Sequence, residues 1–338
     1  MKGTVMSKQP IFRIISLCLC LALLCGGLIA CSDGKLNPAN EGDLIVVCTN
    51  MAAWDLASSA IIPEDDSHGA VIQVILLGRP GQDMHSYEPS ASDIITLAGA
   101  DLVVSVGDAA EPWLASALSS SGSKDVRQVK MMEVCGIEGE HHDHDHDHGD
   151  DCDLDHSELT DEHVWVSLKN AQKISRAIAD AAMEITKDVN AELTAGIAQK
   201  RDAYCAELAS LDSQYTDMVA VAKRKDLLIA DRYPFAHLMH DYGLTCHAAF
   251  PGCSSETEAS FATQTGLIET VKSLELPYIF VIDGSDRKVA ETVAKETGAE
   301  ILLLHSYQIV TEEEFSAGLS YIDVMKDNLE NLRKALCE

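Results

Sequence analysis

The sequence predicts an α/β protein of two lobes, each built on an open, mainly parallel sheet, joined by one long rigid helix, with a cleft between the lobes. Three observations carry that prediction. Short apolar runs alternate with helical patterns up to about residue 115 and again from about residue 225, at the spacing of parallel βαβ units. Between these halves lies a helical stretch too long for an ordinary crossover. The composition, 46% apolar with few aromatics, suits a helix-rich globular chain long enough for two domains.

The elements follow in order. Leu44 to Cys48 (LIVVC) reads as a short buried strand and Trp54 to Ile61 as the helix after it. Val71 to Leu77 (VIQVILL) is a second strand. Pro89-Ser90 opens a helix through Leu97, with proline early, where its missing N–H costs little. Leu102 to Val106 (LVVSV) is a third strand, and Glu111-Pro112-Trp113-Leu114 begins the next helix. Ala171, Ile174, Ala177, Ile178, Ala181, Ala182 and Ile185 keep helical spacing. A second helix, roughly Ala191 to Ala222, is charged, Ala-rich and free of proline, and reads as the strut between lobes. The alternation then resumes. Strands are expected at Leu227 to Ala230, Cys246 to Phe250, Tyr278 to Ile282 (YIFVI) and Ile301 to Leu304 (ILLL). Helices are expected at Phe235 to Tyr242, Thr263 to Leu274, Arg287 to Thr297 and, closing the chain, Glu312 to Leu336. Facing α/β sheets place a cleft at the carboxyl ends of their strands. The boundaries expected are an N-terminal lobe over 43–188 that includes a loop at 139–162, a linking helix over 189–224 and a C-terminal lobe over 225–338.

Residues 1–30 read as a targeting segment. Lys2, Lys8 and Arg13 precede an apolar core from Ile14 to Leu24, and Leu28-Ile29-Ala30-Cys31 leads into the polar tether 31–42. Leu-x-Ala-Cys at that place resembles the bacterial lipobox, in which Cys31 is diacylated and becomes the mature N-terminus. A retained signal anchor is the competing reading, since the apolar run almost reaches spanning length; Gly26, Gly27 and Ala30 favour cleavage. The seven cysteines after Cys31 are odd in number and hold no CxxC pair, so spacing fixes no disulfide; a Cys246–Cys253 bridge is one conceivable pairing.

The formal charge of −29 excludes nucleic acid, which needs a basic surface, and fits a cationic partner. The acids are densest where histidine is densest. HHDHDHDHGDDCDLDHSELTDEHVW begins at His141, and no Lys or Arg occurs between Lys130 and Lys169. Imidazole binds first-row metals well, and alternating carboxylate adds charge. The tract carries no apolar face, so it reads as a solvated, metal-collecting loop with His141, His142, His144, His146, His148 and His156 as its imidazoles. An acidic linker with incidental histidines explains the alternation less well.

Three further histidines fall at connections beside the expected cleft. His85, in GQDMHSYEPSASD, lies eight residues past the second strand. His163, in DEHVWVS, precedes a helix, and His305, in LLLHS, follows the last strand. Ligands from three separate connections are what a single metal site needs.

From Leu44 to Leu336 the chain resembles the solute-binding lipoproteins of zinc and manganese ABC importers, on HSYEPSASDI, ADLVVSVG followed by EPWL, EHVWVSLKNA, FAHLMHDYGL and SETEAS. The resemblance implies two α/β lobes, one long linking helix and one metal ion held between the lobes. Carried across, it puts the first ligand at His85, the second at His163 and the fourth, commonly Asp, at His305. At the third position, where that family has His or Glu, this chain has Arg232, which stays cationic and does not ligate. Asp231 is the first choice to replace it, with His237, His240, Glu258 or a water as alternatives.

Imidazole-rich ligation favours Zn2+ over Mn2+, which prefers oxygen. The expected function is extracytoplasmic capture of Zn2+ and delivery to an ABC permease and its ATPase. The protein is expected to be a monomer held at the bacterial membrane through Cys31. A manganese-binding protein of the same transporter type, or a lipid-anchored adhesin or metal buffer, are the competing readings. A zinc hydrolase is disfavoured because HExxH, GxSxG and the Walker pattern are absent.

Overall fold

A computed structural model describes residues 43–64, 69–123, 126–137, 161–250, 252 and 259–338. The targeting segment, Cys31 and the tether lie outside the described residues. So do His141, His142, His144, His146, His148 and His156 of the His/Asp tract, along with Cys152, Cys253 and Glu258.

The first lobe is a four-stranded parallel sheet in the order β2-β1-β3-β4. Its strands are β1 Leu44–Cys48, β2 Ile72–Leu76, β3 Leu102–Ser105 and β4 Arg127–Lys130. The second repeats that plan as β6-β5-β7-β8, from β5 Asp226–Ile229, β6 Thr245–Ala248, β7 Tyr278–Val281 and β8 Glu300–Leu303. In both sheets the order reverses beside the first strand, so a crevice opens at the carboxyl ends of the strands. β1 and β3 are wholly buried and, apart from Ser105, apolar, as suits parallel strands covered on both faces.

Helix α1 (Met51–Ile61) starts three residues before the apolar pattern suggests, because the Asn50 side chain caps it by accepting from Ala53 N–H at 2.8 Å. α2 (Ala91–Ala98) opens with a capping box between Ser90 and Asp93. After α3 (Leu114–Ser121) come β4 and a single turn, α4 (Met131–Val134), neither of which the sequence pattern announces. β4 reads RQVK and only Val129 is buried, so this edge strand carries no apolar signature.

α5 (Leu168–Thr186) and α6 (Ala191–Ala220) pack side by side. At a rise of about 1.5 Å per residue α6 runs about 45 Å. It is no bare strut. Leu193, Ile197, Leu208, Leu211, Tyr215 and Met218 bury one side of it against α1, α5 and the last helix. Gly196 lets it approach Pro63, whose Cγ would lie 3.1 Å from an added Cβ.

The second lobe continues with α7 (Ala236–Tyr242), α8 (Phe261–Ser273) and α9 (Lys288–Thr297). The expected closing helix is two helices, α10 (Glu312–Ser316) and α11 (Tyr321–Cys337). Gly318 sits at φ 79° in the left-handed region, and Ser320 starts a new helix with a capping box to Asp323.

One hydrophobic core runs through both lobes, from Leu44 and Leu102 to Phe280 and Leu336. Buried polar links reinforce it. Tyr307 Oη donates to Asp55 at 2.8 Å, Trp165 Nε1 to the Ser306 carbonyl at 2.8 Å, and Tyr321 Oη to the Trp165 carbonyl at 2.6 Å. Among the described residues no helix is long and apolar enough to cross a membrane.

Candidate metal centre

Three residues bring potential ligand atoms within 4.8 Å of one another: His85, Glu162 and His163. The two histidines stand 78 positions apart in the chain (85 and 163), and their rings meet edge-on with centroids 5.6 Å apart.

His85 sits on a short 3-10 turn, Met84–Ser86, after β2. Asp83 caps that turn. Its Oδ1 accepts from the His85 amide at 3.0 Å and from Gln308 Nε2 at 3.0 Å, and its Oδ2 pairs with Arg232 Nη1 at 3.3 Å. Burial pushes the Asp83 carboxyl up, but the His85 amide and the His85 and Arg232 charges outweigh it and hold it below the usual carboxylate range. The turn carrying His85 is thus anchored from the second lobe.

His163 is 1% exposed and lies just before the 3-10 turn Val164–Val166. Its Nδ1 is 2.6 Å from Asp161 Oδ1, which also accepts the His163 amide at 2.9 Å. A carboxylate facing Nδ1 holds the proton there and leaves Nε2 as the lone-pair nitrogen, the arrangement that orients metal-ligating imidazoles. Burial pushes Asp161 up, yet the His163 hydrogen bond and charge win and keep it ionised. His237 is buried and donates from Nε2 to the Asp161 carbonyl at 2.7 Å, so it props this segment.

His305 lies two residues past β8 and is 6% exposed. Asn328 holds its backbone on both sides, accepting from the His305 amide and donating to its carbonyl, each at 2.8 Å. Its Nδ1 accepts from the Tyr307 amide at 3.0 Å and lies 3.5 Å from Asp283 Oδ1. Its Nε2 is buried and has no hydrogen-bond partner among the described residues. The Trp165–Ser306 bond sets the His305 stretch against the His163 stretch.

Asp231 is not among the converging groups. It stands at the end of β5 as expected, but one oxygen accepts from the Arg232 amide at 2.8 Å and the other from Ser285 Oγ. Its side chain ties the end of β5 to the segment that follows β7, because one donor is the next residue and the other is Ser285. His240 is exposed at the end of α7. Glu162, the last residue of the stretch 139–162, is the carboxylate that reaches His85, at 3.2 Å from Nδ1. A lone Glu between Asp and His carries little signal of its own; only the packing of two distant loops reveals it. Glu111, also unflagged, is 5% exposed and accepts from the Val106 amide at 2.8 Å. Burial pushes its carboxyl up to about 7.

Comparison with known proteins decides the lineage. Residues 53–335 match the family model described as "ZnuA: Zinc-uptake complex component A periplasmic". The chain belongs to the ZnuA family. It is 30% identical over 330 residues to the high-affinity zinc uptake system protein ZnuA of Bacillus subtilis, covering 96% of each chain. It is 31% identical over 321 residues to the zinc-binding lipoprotein AdcA of Streptococcus pneumoniae, covering 94% of this chain and spanning 60% of that relative's length. Among solved structures it resembles the Zn(II)-bound ZnuA-like domain of Streptococcus pneumoniae AdcA, with TM-score 0.68 and 28% identity over 88% of this chain and all of that domain. It also resembles the metal-dependent lipoprotein YcdH of Bacillus subtilis, with TM-score 0.70 and 27% identity over 88% of this chain and all of that one.

Proposed function

We propose that the chain is an extracytoplasmic zinc-binding protein that captures Zn2+ and delivers it to an ABC-type permease with its ATPase. One observation carries the reading: His85 and His163 converge from distant loops until a ligand atom of each, with one of Glu162, lies within 4.8 Å of the others. The deciding residues fit that cargo. His163 is fixed by a carboxylate on its far nitrogen. The buried, unpartnered Nε2 of His305 is a group whose burial costs free energy until something binds it. Binding an ion there moves the His305 proton to Nδ1, which then leaves its acceptor role toward the Tyr307 amide and donates toward Asp283. An imidazole-rich set suits Zn2+ better than Mn2+. Family membership and the names of the relatives point the same way. They also support an extracytoplasmic, membrane-associated location, with Cys31 as the lipidated residue in this reading.

In this account the cleft binds tightly and the His/Asp tract collects. A zinc titration against a competing chelator tests that division. His163→Ala and His305→Ala lower tight affinity far more than deletion of residues 139–155, which changes stoichiometry and uptake at scarce zinc. Loss of tight binding from the deletion alone contradicts the reading.

A further inference from the structure

We infer that Glu162 is a ligand of the transported ion, supplying the carboxylate that Arg232 and Asp231 do not. The inference rests on the zinc reading above and specifies its ligand set.

The argument is one of geometry and elimination. Ligand atoms on one tetrahedral zinc with bonds of about 2.1 Å lie about 3.4 Å apart. Glu162 Oε1 and His85 Nδ1 are already at 3.2 Å, and His163 completes a triangle with no side above 4.8 Å. Small rotations of side chains that are about a quarter exposed, 26% for His85 and 23% for Glu162, close it on an ion. The neighbouring carboxylates are committed elsewhere. Asp83 serves the His85 amide, Gln308 and Arg232. Asp161 serves His163, Asp231 serves the Arg232 amide and Ser285, and Asp283 serves the amides of Ser306 and Ile309. Glu162 instead faces His85, which is itself a ligand in this reading.

Charge points the same way. Arg232 sits beside the turn that carries His85, bound to Asp83, and does not ligate. An all-imidazole set would bring no charge to the ion itself, since Asp83 is taken by Arg232 and Asp161 stands behind the His163 ring. Glu162 supplies one negative charge directly on the ion. Two histidines and one glutamate form a known zinc donor set that leaves a fourth position, here available to His305 or water.

The test compares zinc affinity at sub-stoichiometric zinc, so that only the tightest site loads, together with the visible spectrum of the Co2+ form. The full chain is used, as wild type, Glu162→Gln, Glu162→Asp and His163→Ala, with melts of the metal-free proteins confirming that each folds. Both Glu162 variants are expected to bind zinc at least about tenfold more weakly and to alter the Co2+ ligand-field bands. Glu162→Asp separates bonding from mere proximity, since it keeps the charge and shortens the reach. Wild-type affinity and spectrum in Glu162→Asp, or in Glu162→Gln, overturn the assignment while loss in His163→Ala leaves the zinc reading standing. Unchanged affinity in all three variants overturns both.

Discussion

Replacing Asp161 by Asn perturbs the centre without touching any group proposed to bond the ion. Asp161 Oδ1 receives the His163 ring at 2.6 Å and the His163 amide at 2.9 Å. An Asn carbonyl still accepts both, so the backbone turn survives. What disappears is the negative charge behind the imidazole. A charge-assisted bond contributes about 1.5–3 kcal/mol and a neutral one about 0.5–1.5, so the metal-free protein loses on the order of 1 kcal/mol. The effect on the ion is larger. The carboxylate fixes the tautomer and raises the basicity of Nε2, and outer partners of this kind typically carry a factor of about 10–100 in metal affinity. That factor is about 1.4–2.7 kcal/mol. The assay is competition with a chromophoric chelator near pH 7.5, where the depressed Asp161 carboxyl is ionised, alongside melts of the metal-free protein. The expected result is zinc affinity lowered about 10–100-fold with a melting point lowered by only a few degrees. Affinity within a factor of about two of wild type would refute the claim that Asp161 tunes the ligand.

Further predictions concern the frame. Glu111 has a folded-state pKa of about 7 against an ordinary value of 4.5, so between those values the native state holds the proton that the unfolded chain has released. Stability from this group is therefore present below about pH 4.5 and lost as pH rises through about 7, by about 3 kcal/mol at most. Glu111→Gln is expected to flatten the melting profile of the metal-free protein over that window and to be the more stable form at pH 8; parallel profiles contradict this. Tyr307→Phe removes a donor from the buried Asp55 carboxylate and is expected to cost about 1–3 kcal/mol in urea unfolding. An unchanged midpoint would show that this inter-lobe bond does not hold the lobes. Zinc affinity of the wild type is expected to fall below about pH 6 as the ligating imidazoles protonate, a trend that a pH series of the same titration reads directly.

The strands were legible where the sheet is buried. LIVVC, LVVSV and YIFVI carry the largely apolar character that burial on both faces demands; the structure pairs the first two as parallel neighbours and sets the third between β5 and β8. β4 was not, because an edge strand written RQVK has one buried residue and no period. The break between α10 and α11 was available in Gly318 and in the Ser320–Asp323 capping box, but the long amphipathic pattern masked it. Strand ends located His305 and Asp231 alike, and neither is in the group formed by His85, Glu162 and His163; the direction of each side chain depends on what surrounds it. Asn328 and the Tyr307 amide fix His305 with a bare Nε2, whereas Ser285 and the Arg232 amide turn Asp231 aside. Glu162 had no local signature, because its partner His85 is remote in sequence and is held by contacts from the second lobe.

A crystal of the zinc-loaded protein, with anomalous data collected on both sides of the zinc edge, tests the account most directly. It predicts one strong peak in the cleft with ring nitrogens of His85 and His163 at about 2.0–2.1 Å and a Glu162 oxygen at about 2.0–2.2 Å. A cleft without that peak, with zinc held only by the acidic tract, would contradict it.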